Sequence, residues 1–173
     1  MSTIDIINYS NEYESDLFRI YQSIINEKVY LLTDPAEFYM SEADFGNRME
    51  SLSSSGRENT WIALANGLPA GFLFVQSSSK HHLQHVGSFG IGVLAEYRGK
   101  GIGQALIVKM LDWAKKNNLI EKVALGVFSI NQAAIHLYKK MGFVEEGRKV
   151  NEIKFSQGHY ADDVLMYQMV QDD

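Results

Sequence analysis

The sequence predicts one mixed α/β domain over residues 1–173. Three observations predict it. Apolar residues recur at helical spacing in two long segments, the period changes to two from Thr60 onward, and a glycine-rich junction, Arg98-Gly99-Lys100-Gly101-Ile102-Gly103, joins a strand-like run to an amphipathic helix. The chain has 173 residues, 46% hydrophobic and 21% charged, which is ordinary for a globular domain long enough to bury a core without staples.

The elements follow in order. Thr3 to Tyr9 alternates as a strand. Asn11 and Glu14 are spaced to cap a helix whose buried stripe is Leu17, Ile20, Tyr21, Ile24 and Ile25. The segment around Tyr30–Met40 holds Asp34-Pro35 and reads as a loop with room for one helical turn. Ser41 and Asp44 start a second helix, with Phe45, Met49 and Leu52 on its inner side. Thr60–Ala65 and Leu68–Gln76 read as strands joined across Asn66-Gly67, a tight-hairpin signal, followed by a solvated loop at Ser77–Lys80. His85–Leu94 returns as a strand, in which Gly87, Gly90 and Gly92 suggest a bulge or the close approach of a ligand. Ile102, Ala105, Leu106, Met110, Trp113 and Ala114 form the stripe of a helix ending near Asn117-Asn118. Val123–Phe128 is a buried strand. Asn131 caps a helix that Gly142 stops, and Phe143–Phe155 and Tyr160–Val170 close the chain as a strand pair around Gln157-Gly158.

Composition removes several classes of function. With no cysteine, disulfides, thiol nucleophiles and cysteine-held metals are excluded. No apolar run approaches the roughly 20 residues needed to cross a bilayer, and Met1–Ser10 lacks the pattern of a signal peptide, so the expectation is a cytoplasmic protein without a membrane partner. A net charge of −5 without long basic runs argues against nucleic acid and modestly favours a cationic partner such as an amine. His81-x-x-x-His85 has the spacing of a helical zinc pair, but it falls in loop and strand and lacks the following Glu, so no metal is expected. No Gly-x-Ser-x-Gly elbow is present.

The junction itself has the chemistry of a phosphate site. Alternating glycines let the backbone come close to a ligand, and the helix behind them offers unpaired N–H groups and a positive dipole end. Arg98 and Lys100 add charge. A Walker loop is absent, and Gly90–Ala95 fits a dinucleotide fingerprint only poorly, because four residues intervene before helical periodicity begins.

Arg98-x-x-Gly101-x-Gly103 resembles the pyrophosphate loop of the GCN5-related N-acetyltransferases (the GNAT superfamily). Val93 followed by Glu96–Gly103 is similar to that family's long signature, with Ala95 where many relatives carry proline. Phe128-Ser129-Ile130-Asn131 with Ala134, Leu137-Tyr138 and Met141-Gly142-Phe143 is similar to its second motif. The tail Gly158–Met166 resembles relatives that acetylate small amines, amino acids or protein N-termini. The resemblance implies a mostly antiparallel sheet of about seven strands flanked by four helices. The strand equivalent to His85–Val93 would bend at a bulge and part from Val123–Phe128, opening a cleft for coenzyme A.

It also implies roles for particular residues. Ile91, Gly92 and Val93 would pair with the pantetheine arm through main-chain groups, with an N–H at or beside Val93 polarising the thioester carbonyl. Arg98, Gly99, Lys100, Gly101, Ile102, Gly103 and Gln104 would hold the diphosphate of acetyl-CoA, and Asn131, Ala134 and Tyr138 would line the cofactor. Tyr138, two helical turns after Asn131, would protonate the departing thiolate. For the base, His85 is the first candidate, with a purely structural or exposed strand position as the other reading of it, and ordered water would carry the proton if no side chain serves; His81 and His82, in a solvated loop, are less favourably placed, and His159 in the closing turn would edge the acceptor cleft. The acceptor would be a primary amine of a small molecule, amino acid or peptide N-terminus, and Glu27, Asp34, Glu152 and Asp162 are carboxylates available to a cation. A homodimer is left open. The rival readings are an acyl-CoA-binding module without transfer and a dinucleotide oxidoreductase.

Overall fold

Alternation and turn chemistry build one seven-stranded sheet in this computed structural model, which describes residues 3–171. Residues 1–2 and 172–173, the outermost of the expected 1–173 domain and of its N-terminal stretch, lie outside the described residues. Strand β1 (Ile4–Asn8) pairs antiparallel with β2 (Asn59–Ala65), which returns through Asn66-Gly67 into β3 (Leu68–Ser77). Both turn residues have positive φ, +51° and +80°, as a two-residue hairpin turn requires. Strand β4 (Val86–Val93) adds antiparallel to β3. Then come β5 (Lys122–Phe128), β7 (His159–Met169) and, at the far edge, β6 (Val144–Ser156), giving the order β1-β2-β3-β4-β5-β7-β6. Only the β4–β5 pair is parallel.

Four helices cover the sheet. Helices α1 (Glu14–Asn26) and α2 (Glu42–Ser54) bury Leu17, Ile20, Ile24, Phe45, Met49 and Leu52 against Ile62, Leu64 and Phe72. Helix α2 starts as its sequence demands, with Ser41 Oγ accepting from the Asp44 N–H at 3.1 Å. A 3-10 turn at Pro35–Glu37 sits between them, held by a capping box from Asp34. On the opposite face, α3 (Ile102–Lys116) and α4 (Gln132–Lys140) pack Leu106, Ile107, Met110, Ile135 and Tyr138 onto Trp61, Leu73, Val75, Phe89 and Val123. The sheet is thus a septum with an apolar cluster on each side, as layered α/β packing requires.

One expectation about β4 needs correcting. The β3–β4 register runs without interruption from Gly71↔Val93 to Ser77↔Gly87, so β4 carries no bulge there; the shift lies between β2 and β3, at Ala63/Leu64. The β4 glycines answer to close packing instead. A Cβ on Gly90 would stand 2.6 Å from Phe74 Cζ, and one on Gly92 would collide with Ile24 Cδ1. Those positions admit no side chain because aromatic and helix side chains already fill the space.

Candidate active site

Strands β4 and β5 are paired over only three residues, Val86↔Lys122, Gly87↔Val123 and Ser88↔Ala124. Beyond them β4 keeps β3 as its neighbour on one side, and β5 keeps β7. The other edge of β4 from Phe89 to Val93 has no strand beside it. Hydrogen bonds on either flank show which groups face this opening. The Leu94 N–H donates to Ala70 C=O on the β3 side, at 3.0 Å, whereas the His85 C=O accepts from the Glu121 N–H on the β5 side, at 2.9 Å. Backbone groups in an antiparallel ladder point alternately toward and away from the neighbour. The C=O of Phe89 and the N–H and C=O of Ile91 and Val93 therefore face the opening, those of Gly90 and Gly92 face β3, and the Phe89 N–H belongs to the last rung of the pairing with β5, at Ser88↔Ala124.

Ile91 and Val93 stand where the sequence placed them. Gly92 borders the opening without presenting its own amide, and Phe89 was missed. Counting back in twos from Val93 would have found it. The Val93 carbonyl is already engaged, accepting from Arg98 Nε at 2.9 Å.

At the mouth of the opening the glycine loop turns into α3. Gly99 and Gly101 have φ of +72° and +89°, conformations that side-chain-bearing residues rarely adopt, and a Cβ on Gly99 would meet nothing within 4 Å. The first helical bond runs from the Ala105 N–H to Gly101 C=O at 3.0 Å. The N–H groups of Ile102, Gly103 and Gln104 precede that ladder and have no intrahelical acceptor. Their direction and the helix dipole make a cradle for a diphosphate. Ile102 itself is core, and a Cβ on Gly103 would press on Leu137 of α4 at 3.3 Å. The bareness of Gly103 thus lets α3 and α4 meet beside the loop.

The side chains are arranged differently from the sequence expectation. Arg98 does not point free cationic nitrogens at the loop. Its guanidinium grips Glu27, at the end of α1, with Nη1 and Nη2 at 2.7 and 2.6 Å from the two carboxylate oxygens. Its own N–H donates to Ala95 C=O, so Arg98 braces the loop. That bond with Glu27 raises the Arg98 pKa further. Lys100 Nζ rests 5.4 Å from the Tyr97 ring centroid. Gln104 accepts from Lys140 Nζ at 3.1 Å, which brings to the loop a cation of α4 that sequence reasoning missed, 36 residues away.

Asn131 is the N-cap of α4, its side-chain oxygen accepting from the Ala134 N–H at 3.2 Å. That bond uses the Ala134 amide. Tyr138, on the same helix, packs edge-on to Phe89 and Phe143, with centroids 5.8 and 6.1 Å away. The ring is 7% exposed and burial pushes its phenol pKa up to about 12. Among the described residues, the sealed polar side-chain atoms lacking a partner are Tyr9 Oη, Arg57 Nε, Thr60 Oγ1 and Gln168 Oε1; Tyr138 Oη is not one of them. A protonated phenol therefore stands against Phe89, where the strands part.

His85 is held elsewhere. It precedes β4 at the closed end of the β4–β5 pair, four residues or about 13 Å of strand from Phe89. There it lines a shallow depression with Arg57, His81, Gln84, Asn118 and Glu121. The structure does not bring it to Tyr138. His159 bonds Ser156 across the β6–β7 turn.

The parted sheet, the glycine cradle and the order of elements have counterparts among known proteins. Residues 17–143 match the model of the "Acetyltransferase (GNAT) family". The chain belongs to the GNAT acetyltransferase family. It is 37% identical over 87 residues to a spermidine N(1)-acetyltransferase of Vibrio cholerae, a match covering 50% of each chain. It is 30% identical over 105 residues to the L-amino acid N-acetyltransferase AaaT of Escherichia coli, covering 61% of this chain and 64% of that one. These matches thus span about half to two thirds of the relatives' lengths. The fold is that of a GNAT-family acetyltransferase from Streptococcus pneumoniae (TM-score 0.90, 24% identity, 96% of this chain and 99% of that one). It is also that of yncA, a putative acetyltransferase from Salmonella typhimurium solved with acetyl-CoA (TM-score 0.87, 17% identity, 98% and 95%).

Proposed function

We propose that this chain, working as one domain, is an N-acetyltransferase that moves the acetyl group of acetyl-CoA onto a primary amine by direct attack in a ternary complex. One observation carries the reading. The free edge of β4 at Ile91 and Val93 leads into the unpaired N–H groups before α3, with the protonated Tyr138 packed edge-on against Phe89 beside it. The residues present fit the donor: alternating amides suit its amide-rich arm, and the loop N–H groups suit its diphosphate. Acetyl-CoA supplies an acyl group activated as a thioester.

The chain does the rest. Main-chain N–H groups of Gly99–Gln104 hold the anionic end, with Lys100 and Lys140 nearby and Arg98 acting through Glu27 and Val93 to fix the loop. Asn131 fixes the start of α4 and so the height of Tyr138. An N–H of the free β4 edge steadies the carbonyl oxygen as charge builds on it. Tyr138 Oη holds the proton that the leaving sulfur needs, and its raised pKa keeps that proton in place at neutral pH. Water carries the amine's proton away, since His85 sits at the closed end of the β4–β5 pair.

The decisive experiment is an amine screen read by mass spectrometry for the gain of one acetyl group, run beside a thiol-release assay. Tyr138→Phe should lower kcat roughly 100-fold while the KM for acetyl-CoA stays within about two-fold, because general-acid contributions reach that size. Acetyl-CoA binding without thiol release for any amine would instead mark a binding module.

A further inference from the structure

Resting on that reading, we infer that the acceptor is a small amine that also bears a carboxylate, and that Arg48 recognises the carboxylate. Tyr138 and Phe89 fill the α3–α4 side of β4, which leaves its even-numbered face, toward α1 and α2, for the acceptor. There Ser88 is exposed opposite Gln76 and Gly90 lies opposite Phe74. Phe74 stacks on Phe72 with planes 8° apart, and Tyr21 of α1 leans on Phe72 at 5.9 Å. Above this aromatic floor stands Arg48 of α2, its guanidinium carbon 5.9 Å from the Phe74 centroid and Nη2 donating to Gln76 Oε1 at 3.1 Å.

Arg48 is exposed, and among the described residues no carboxylate lies within ion-pair distance of it. Asp44, one turn earlier on α2, accepts from Ser41 Oγ at 2.6 Å instead. A planar cation fixed by a ring and one amide, with donors to spare, is suited to a carboxylate.

The carboxylates offered to a cationic acceptor by the sequence are meanwhile engaged. Glu27 is clamped by Arg98, and Asp34 caps its own turn. Asp162 accepts from the Asn151 N–H and faces Arg148, and Glu152 lies 3.9 Å from Lys149. A polyamine would find a positive, aromatic wall. An amino acid places its carboxylate on Arg48, its amine toward the strand opening, and its side group beside Phe74 and Tyr21.

The transfer stays balanced. The ammonium gives one proton to water and its nitrogen bonds the acetyl carbon as the carbon–sulfur bond breaks. Sulfur takes the Tyr138 proton, and the second nitrogen proton returns through water to Tyr138.

The test compares free amino acids, their carboxamides and spermidine as acceptors, by thiol release and mass spectrometry, for the wild type, Arg48→Met and Arg48→Glu. The acids should be preferred over their amides roughly 10- to 100-fold in kcat/KM, as befits a charge-assisted contact. Arg48→Met should raise the acceptor KM by a similar factor with kcat and the KM for acetyl-CoA little changed. Arg48→Glu should turn the preference toward spermidine, a gain that misfolding cannot produce. Acetylation of amides or spermidine as efficient as that of the acids would overturn the acceptor assignment and leave the transferase reading standing. Bound acetyl-CoA with no acetylation of any amine would overturn both.

Discussion

Tyr138 and His85 show how the same kind of sequence clue leads to different places. Both are titratable residues beside family-like motifs. Tyr138 packs on Phe89 because α4 begins at a fixed cap and two turns carry it there. His85 is separated from the opening by the three paired residues of the β4–β5 seam. Accordingly, His85→Ala should leave kcat and its pH dependence within about two-fold of the wild type. A tenfold fall in kcat with loss of the acidic limb of the pH profile would make it the base after all. For Tyr138, burial lifts the pKa from 10.0 to about 12. Above pH 10 the unfolded chain releases this proton while the folded chain keeps it, so the unfolded state binds fewer protons. The Tyr138 contribution is full below pH 10 and falls as pH climbs toward 12, by at most about 2–3 kcal/mol. Urea denaturation between pH 9 and 11.5 should show a shallower fall for Tyr138→Phe than for the wild type. Parallel profiles would contradict a buried, proton-bearing phenol.

At the scale of elements, the glycine loop and β4 divide the labour. The loop was legible in the sequence because its purpose is written in consecutive residues, and so were Asn66-Gly67, the Ser41 cap and the Asn131 cap. Those signals act over six residues or fewer. The Arg98–Glu27 clamp joins positions 71 apart, and Lys140–Gln104 joins positions 36 apart; nothing local announces either. The glycines of β4 suggested a bulge or the close approach of a ligand, but what stands against Gly90 and Gly92 is Phe74 and Ile24, which only packing reveals. The alternation along β4 gives a direct measurement. By hydrogen exchange, the amides of Ile91 and Val93 should exchange fast in the free protein and slow on adding acetyl-CoA. The amides of Gly90 and Gly92 should be protected in both states. Equal protection of the two sets without ligand would mean that the opening is closed in solution.

For the molecule as a whole, the seam makes two half-sheets, β1-β2-β3-β4 and β5-β7-β6, joined within the sheet by three residue pairs. A ligand lying along β4 and over the start of α3 ties these halves together and binds only the folded chain. At 100 times its dissociation constant it adds about 2.7 kcal/mol of stability. For a chain of this size that corresponds to a rise of about 5–10 °C in the melting temperature, measurable by calorimetry. A rise under 1 °C at saturation would show that acetyl-CoA does not engage the folded state. The sheet also has two rims. One is β1, only five residues long; the other is β6, thirteen residues long and largely exposed, but with register breaks at Glu145/Gly147, Lys149/Ile153 and Lys154/Ser156. A short rim and a thrice-interrupted, lysine-bearing one are poor templates for a stranger's backbone. Despite Val150 and Phe155 standing in water, this protein is built to stay dispersed in a crowded solution and to resist seeding fibrils.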